Sequence, residues 1–240
     1  RRRLNPMRFP RPLVPARLVQ RYKRFLSDHE LADGTVVTAH CANPGGMIGI
    51  KDPGMRTWLA PAGNPSRKLA WDWEIVEADG TLIGCHTGRP NALVEEAILG
   101  GAIPQLSGYA TLRREVPYGT RSRVDMVLSE PGRPDCFVEV KNCHMRREGT
   151  LAEFPDAVTT RGAKHMHELA AVVAEGRRAA LVYCIQRDDC DGFTTAADID
   201  PGYDAALRAA IAGGVEVLPY ACRVSTDEIV LDKPLPLVLP

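Results

Sequence analysis

The chain has 240 residues, of which 45% are hydrophobic and 25% charged, and its formal net charge is +0. This length fits one large domain or two small ones, and the composition is that of a soluble globular protein. Seven cysteines occur without a CxxC pair, and no apolar run is long enough to cross a membrane. These features exclude a disulfide scaffold, a zinc ribbon and a membrane-spanning protein, and they predict reduced thiols in the cytoplasm.

The zero net charge hides an uneven distribution along the chain. Residues 1–30 hold nine Lys and Arg against two acids, whereas residues 186–240 hold four against ten. Met7 is the expected natural first residue, with RRRLNP as an extension before it. A basic end can attract a phosphate backbone, but a disordered arm with a solvated strand face explains the same letters equally well.

The first part of the chain reads as short strands separated by turns. RLVQRYKRFL, TVVTAHCA, TWLA, KLAWDWEIVEA and TLIGCHT are rich in Val, Ile, Thr and aromatic residues, and ANPGGM has the composition of a tight loop. Five such strands favour a small barrel, and we predict an all-β, OB-like domain over residues 1–85. Arg21, Lys23 and Tyr22 suit a basic, aromatic surface for single strands, although an ordinary exposed strand has the same pattern.

After residue 85 the pattern changes to mixed helices and strands. GRPNALVEEAILGG predicts a helix with Pro90 in its first turn and a glycine pair at its end. Strands follow in TLRREVPYG, SRVDMVLSE and CFVEVKNCH, then a helix in AVTTRGAKHMHELAAVVAEG, a strand in AALVYCIQ, a helix in PGYDAALRAAIAGG and two closing strands. This order predicts an α/β (α+β) layered domain with a central mixed sheet over residues 86–240.

SRVDMVLSE and PDCFVEV predict a β-hairpin in which two carboxylates face each other. Asp125 and Glu139 are equally distant from Gly132, so a turn centred there sets them opposite. Side chains alternate between the two faces of a strand. One face is then apolar and the other carries the charges: Val124, Met126, Leu128, Cys136, Val138 and Val140 on the first; Arg123, Asp125, Val127, Phe137, Glu139 and Lys141 on the second.

Like charges directly opposite each other on a sheet are unfavourable, so the facing carboxylates predict a bound cation. Oxygen ligands favour Mg²⁺ or Mn²⁺ over zinc. The alternative is a half-exposed strand pair with its charges in water, as in many antiparallel sheets.

The helix in TTRGAKHMHELA carries a polar stripe. Arg161, Lys164, His165 and Glu168 recur at spacings of three and four, which places them on one side of a helix. Arg161 and Lys164 suit contacts with backbone phosphates, but a solvated face with a Lys164–Glu168 pair fits equally well. Gly162 is costly within a helix and indicates a close approach to a strand or a ligand.

Asp125 and Glu139-Val140-Lys141 resemble the D…ExK core of the PD-(D/E)xK, or restriction-endonuclease-like, nucleases, with Val124 in place of the motif's proline. The stretches SGYATLRREVPYG, RPDCFVEVKN, FPDAVTTRGAKHMHEL, LVQRYKRFL and HCANPGGM extend this likeness. From about Met7 to its end, the chain closely resembles the sugar fermentation stimulation protein family, SfsA. The resemblance implies an OB-like barrel followed by a restriction-endonuclease-like domain, DNA binding, and a link to sugar (maltose) utilisation.

The resemblance also implies a role for each residue of the motif. Asp125 and Glu139 would be metal ligands, the backbone carbonyl of Val140 a third, and Lys141 would lie by the scissile phosphate and the attacking water. All are predicted members of a catalytic site that uses Mg²⁺ or Mn²⁺.

The helix before the hairpin is expected to add a further glutamate to the catalytic and metal-binding set. LVEEAI offers two, and the apolar stripe of this helix leaves Glu95 and Glu96 equivalent, since they flank it about equally. The family pattern favours Glu96.

Three functions remain open from the sequence. The first is a divalent-metal-dependent nuclease, the second a non-catalytic nucleic-acid-binding regulatory protein with a vestigial site, and the third a protein whose carboxylates are structural. The complete acidic and lysine set favours the first. DNA is the expected partner, and the oligomeric state stays open, a homodimer included. Six residues are predicted to contact nucleic acid: Arg21, Lys23, Arg123, Arg161, Lys164 and His165.

Overall fold

The structure, a computed structural model, describes residues 7–64, 66–120 and 122–239. Arg1, Arg2 and Arg3, on which part of the predicted basic arm depends, lie outside these residues. The first part of the chain forms β1 Val14–Tyr22, β2 Leu26–Leu31, β3 Val36–His40, β4 Arg56–Pro61, β5 Trp71–Ala78 and β6 Thr81–Gly84. The second part forms α1 Pro90–Gly100, β7 Thr111–Tyr118, β8 Ser122–Glu130, β9 Arg133–Cys143, β10 Leu151–Phe154, α2 Thr160–Ala174, β11 Arg178–Ile185, β12 Gly192–Thr195, α3 Pro201–Ala212, β13 Glu216–Val224 and β14 Ile229–Pro234.

The first five strands form a closed barrel, which confirms the predicted OB-like domain. The strands pair in the order β3-β2-β1-β4-β5-β6, and a parallel contact between His40 of β3 and Asp72 of β5 closes the barrel. Leu59, Trp73 and Ile83 are among the fully buried residues that fill it.

The prediction of one strand over RLVQRYKRFL is wrong. The strand β1 ends at Tyr22 and β2 begins at Leu26, so the chain reverses within this stretch. Lys23, with φ of 46°, and Arg24, with φ of 64°, adopt the left-handed backbone that makes the reversal. Glycine and asparagine are the usual residues in that conformation, so a lysine–arginine turn gives no turn signal in the sequence.

The second part of the chain builds the predicted mixed sheet, with six strands in the order β14-β13-β11-β9-β8-β7. The strand β11 runs parallel to β9 and β13, and the remaining pairs are antiparallel. One face packs on α1 through Leu93 and Val94, and the other packs on α2 through Met166 and Leu169. The short parallel pair of β10 and β12 was not predicted. No helix in the described ranges has the length and apolarity to span a bilayer.

Gly162 makes the close approach that its position in a helix indicates, but to Tyr203 of α3 and not to a strand. A Cβ atom on Gly162 would lie 2.8 Å from Cγ2 of Thr159 and 3.1 Å from Cδ2 of Tyr203. The glycine therefore allows the start of α2 to pack against α3.

Asp200 joins the starts of the same two helices. Its Oδ1 accepts a hydrogen bond from the Tyr203 N–H at 2.9 Å and caps α3, while its Oδ2 accepts from the N–H of Thr159, the cap of α2, at 2.7 Å. We expect Asp200→Ala to lower the free energy of unfolding by about 2 kcal/mol, because a cap is lost and a partly buried N–H loses its acceptor. Urea denaturation measures this loss. Asp200→Asn keeps one acceptor oxygen and should lose clearly less, so equal losses would contradict the capping role.

Direct hydrogen bonds join the barrel to the second domain. The N–H of Gly84, at the end of β6, donates to the carbonyl of Gln186 at 2.9 Å, and the N–H of Met47 donates to Oδ2 of Asp156 at 2.8 Å. The glycines of ANPGGM allow this contact, since a Cβ atom on Gly45 would lie 2.5 Å from the Asp156 carboxylate. The tight loop predicted from this motif therefore lies at the junction of the two domains.

Candidate active site

The hairpin register brings Asp125 and Glu139 to neighbouring positions. Met126 pairs with Val138, so Asp125 and Glu139 are the next residues in line on the two strands. Gly132, with φ of 79°, lies in the turn that joins β8 to β9. The strand register that was predicted from the position of Gly132 is therefore present from the pair Leu128–Cys136 to the pair Met126–Val138.

The charged face of the hairpin is covered by protein and is not a half-exposed surface. Val127 and Phe137 are buried in the core beneath α2 and α3, and Glu139 is only 3% exposed. The alternative of charges in water is therefore wrong for Glu139. Val124 was assigned to the opposite, apolar face, but it packs in the same core as Val127. Met126 packs in the core of the other face, so the regular alternation is lost between Val124 and Met126, where the β8–β9 pairing ends.

The side chain of Asp125 takes the place of a backbone acceptor at this interruption. Its Oδ2 accepts a hydrogen bond from the Val140 N–H at 2.7 Å, and its Oδ1 accepts from Nδ2 of Asn91 in α1 at 2.8 Å. Because the N–H and C=O of one residue point to the same side of a strand, the Val140 carbonyl also faces Asp125. Burial, followed by the charge of Glu139, raises the pKa of Asp125 despite these two hydrogen bonds.

Glu139 has one occupied and one free oxygen. Its Oε1 accepts from Nζ of Lys141 at 2.7 Å and contacts Nδ1 of His165, whereas its Oε2 is buried and finds no hydrogen-bond partner within the described part of the chain. Burial alone would raise the pKa of Glu139, but the hydrogen bond from His165 and the charge of Lys141 outweigh it and lower the pKa. An ionised, buried oxygen without a partner is costly, so this atom is suited to a cation.

His165 belongs to the carboxylate cluster itself. Predicted as a nucleic-acid contact, it is buried, and its ring touches both Glu139 and Lys141, the latter at 3.4 Å. With Nδ1–H donated to Glu139, Nε2 can accept from Nε of the exposed Arg161, which lies 3.4 Å away. The helix α2 thus brings an arginine and a histidine to the end of the site that faces solvent.

The structure of α1 argues against Glu96 as the carboxylate that this helix adds to the site. The pKa of Glu96 is raised by burial and by Glu228, and a backbone hydrogen bond to Met7 opposes this rise, so its carboxyl group faces the N-terminal segment. Asn91 is the residue of α1 that contacts Asp125, and Glu95 follows it by one helical turn on the same side. Glu95 lies 3.4 Å from Arg114 of β7. The positions of the two glutamates around the helix left them equivalent, because the sequence does not show which side of α1 faces β8.

Three of the cations predicted to contact nucleic acid are tied to neighbouring protein groups. Arg21 donates from Nη2 to the carbonyls of Asn43 at 2.8 Å and Gly45 at 3.1 Å. Arg123 donates to the carbonyl of Glu115 at 2.7 Å, and Lys164 donates to the carbonyl of Thr120 at the same distance.

Lys164 also lies 3.4 Å from Glu168. This is the ion pair that was predicted as the alternative to a nucleic-acid contact. Lys23 and Arg161 are exposed. Among the described residues, no three His, Cys, Asp or Glu side chains are arranged to hold an ion.

Comparisons with known proteins agree with this architecture. Residues 19–85 match the family model of the SfsA N-terminal OB domain, and residues 88–228 match that of the sugar fermentation stimulation protein RE domain. The sugar fermentation stimulation protein homolog of Rhodospirillum centenum is 59% identical and aligns over 96% of this chain and 99% of its own length. That of Paramagnetospirillum magneticum is 54% identical over 97% of this chain and 98% of its own.

A solved structure, that of Pyrococcus furiosus SfsA in complex with Ca²⁺, superimposes with a TM-score of 0.87 at 25% identity, covering 98% of this chain and 99% of that one. The fold defines the class as an OB barrel followed by a mixed-sheet α/β domain. Within that class, the chain belongs to the SfsA, or sugar fermentation stimulation protein, family.

Proposed function

We propose that this protein is a divalent-metal-dependent nuclease that hydrolyses phosphodiester bonds in DNA. The observation that carries the proposal is the buried Glu139, whose Oε1 is fixed by Lys141 and His165 while its Oε2 has no hydrogen-bond partner among the described residues. A protein that only binds nucleic acid has no use for such a buried, costly arrangement.

The donor atoms fit Mg²⁺ or Mn²⁺. The carboxylates of Asp125 and Glu139 and the carbonyl of Val140 are all oxygen donors, which hard divalent cations prefer. A bound ion of this kind would neutralise phosphate charge and make a water molecule more acidic. The Ca²⁺ in the Pyrococcus furiosus relative supports the choice of an oxygen-binding cation.

The chain's own residues supply the remaining functions. Lys141, with its side chain 14% exposed, can donate a proton of its ammonium group to a phosphate oxygen or orient the attacking water. Asn91 fixes the orientation of Asp125, and His165 holds Oε1 of Glu139 so that Oε2 stays available. The exposed Arg161 is placed to meet the phosphate backbone next to the scissile bond.

One observation favours a second candidate, a non-catalytic nucleic-acid-binding regulatory protein with a vestigial site. Both oxygens of Asp125 already accept hydrogen bonds, from Asn91 and from Val140. In either case the stimulation of sugar fermentation that the relatives' name states, which we extend to maltose, would act through nucleic acid. We place that action in the cytoplasm, because all seven cysteines are buried and free, as in a reducing compartment.

A cleavage assay separates the two candidates. The purified protein is incubated with single- and double-stranded DNA and RNA in Mg²⁺, Mn²⁺ or EDTA, beside the Glu139→Ala/Lys141→Ala variant and the surface control Arg223→Ala. We expect cleavage of DNA that requires the metal, is lost in the double variant and persists in the control. Salt-sensitive binding without cleavage in any metal would support the regulatory candidate and overturn the nuclease proposal.

A further inference from the structure

Three cations contact the loop Asn43–Met47 of the barrel, and a fourth lies beside them in the chain. Arg21 donates to the carbonyls of Asn43 and Gly45, Arg24 donates to that of Pro44 at 3.1 Å, and Lys51 donates to that of Gly46 at 2.6 Å. Lys23 lies beside Arg24 in the β1–β2 turn. In the ranges that the structure describes, none of the four cations comes within 4.0 Å of a carboxylate oxygen. Their charge is therefore not neutralised by the protein and suits an anionic ligand.

An exposed aromatic pair adjoins these cations. Phe25 is 44% exposed, and its ring lies 6.5 Å from that of His40 at an angle of 28°, close to parallel. The carbonyl of Phe25 accepts the N–H of Cys41 at 2.9 Å, which ties the turn to the start of the loop. A large exposed aromatic ring next to cations whose charge no carboxylate of the described residues neutralises has the chemistry that binds a base and its phosphate together.

A groove continues from this aromatic pair along the barrel surface. Thr38 lies on the same face of β3 as His40, since the two are separated by one residue. Thr38, Leu26 and Trp71 line a groove of about 570 Å³. The ring of Trp71 therefore borders this groove, in addition to the ring of Phe25 at its start.

The loop is held against the second domain just before the start of α2, the helix that carries His165. Met47 donates its N–H to Asp156, and Gly45 and Gly46 pack on the same residue. Asp156 lies four residues before Thr160, the first residue of α2. From there, His165 in the Glu139 cluster is about 8 Å further along the helix, at 1.5 Å per residue.

We propose that the β1–β2 turn and the loop Asn43–Met47 bind single-stranded DNA, and that the strand runs from the Glu139 site across the start of α2 onto Phe25. Phe25 and His40 stack on a base, while Lys23, Arg24 and Lys51 neutralise its flanking phosphates. The proposal rests on the proposed function and deepens it, because it names the substrate class as DNA with a single-stranded segment beside the scissile bond. A rigid duplex presents no free base to Phe25.

Binding of a fluorescein-labelled single-stranded DNA in EDTA, measured by anisotropy, tests this proposal without any cleavage. We expect Phe25→Ala to weaken binding by about 5- to 100-fold, as loss of one stacked base does, and Phe25→Leu to weaken it similarly because it keeps the apolar area without the ring. Lys23→Gln should lower the slope of log affinity against log salt by about 0.7, the value for one phosphate of a single strand. Val36→Ala, at the exposed far end of β3, is the control and should bind as wild type.

Two results overturn the proposal: unchanged affinity of Phe25→Ala for single-stranded DNA, or tighter binding of the duplex or of RNA of the same sequence by the wild-type protein. The outcome is independent of the cleavage assay. Cleavage with unchanged binding by Phe25→Ala would reject this inference and leave the nuclease proposal standing. Weakened binding by Phe25→Ala, together with no cleavage by the wild-type protein, would reject the nuclease proposal and leave the single-strand binding surface standing.

Discussion

Lys141→Met should reduce metal-dependent cleavage by about 10²- to 10⁴-fold, the range for loss of a positioned proton donor or acceptor, and leave metal binding intact. The lysine contributes no oxygen ligand, and its loss leaves Glu139 still hydrogen-bonded to His165. Methionine has a similar length and no charge, so the mostly buried space that the lysine side chain occupies stays filled. Single-turnover cleavage rates and calorimetric titration with Mn²⁺ measure the two effects separately.

Glu139→Gln is the matched variant, and it should fail in both measurements. The amide removes the negative charge that a divalent ion needs, and it leaves the ammonium of Lys141 without its carboxylate partner at 2.7 Å. We also expect the free energy of unfolding to fall by about 1–3 kcal/mol, the cost of an unsatisfied, partly buried charged group. If Lys141→Met lost metal binding as completely as Glu139→Gln, or cleaved as wild type, the division of roles between the two residues would be wrong.

The hairpin shows how far sequence reasoning reaches. The alternation of side chains, the central glycine and the D…ExK spacing are local properties, and they were sufficient to place Asp125 next to Glu139 in line on neighbouring strands. The same reasoning failed at Val124, because a side chain replaces a backbone acceptor at Asp125 and local periodicity does not show such a substitution. Burial of Glu139 depends on α2, which is distant in sequence.

The tertiary partners of the site were the part that the sequence did not show. His165 was predicted to contact nucleic acid from a polar helical stripe, and Asn91 was not selected at all, because each acquires its role from packing against the sheet. A signal for Asn91 existed in its position one helical turn before Glu95, which shares its side of α1. It became usable only when the structure showed that this side faces Asp125. The contact between Met47 and Asp156 joins residues 109 positions apart and has no local signal.

The barrel should lose stability in mild acid because of His29. Its ring is fully buried, lies 2.9 Å from Oγ1 of Thr57 and 2.8 Å from Oγ of Ser27, and meets Trp73 edge-on at 5.0 Å. Burial lowers the pKa of His29 from its ordinary value of 6.5 to about 4, against a smaller opposing effect of Asp28. Since the unfolded chain takes up a proton near pH 6.5 and the folded chain does not, stability declines as the pH falls from 6.5 towards 4.

A pKa difference of this size corresponds to about 3 kcal/mol, at 1.36 kcal/mol for each pKa unit. Urea unfolding followed by tryptophan fluorescence over this pH range measures the decline, since Trp73 reports directly on its histidine neighbour. His29→Gln can still hydrogen-bond to the neighbouring hydroxyl groups but does not titrate, so its stability should depend less steeply on pH. Burial also lowers the pKa of His86, so some dependence remains in the variant. Equal slopes for wild type and His29→Gln would show that His29 takes up its proton without unfolding the barrel.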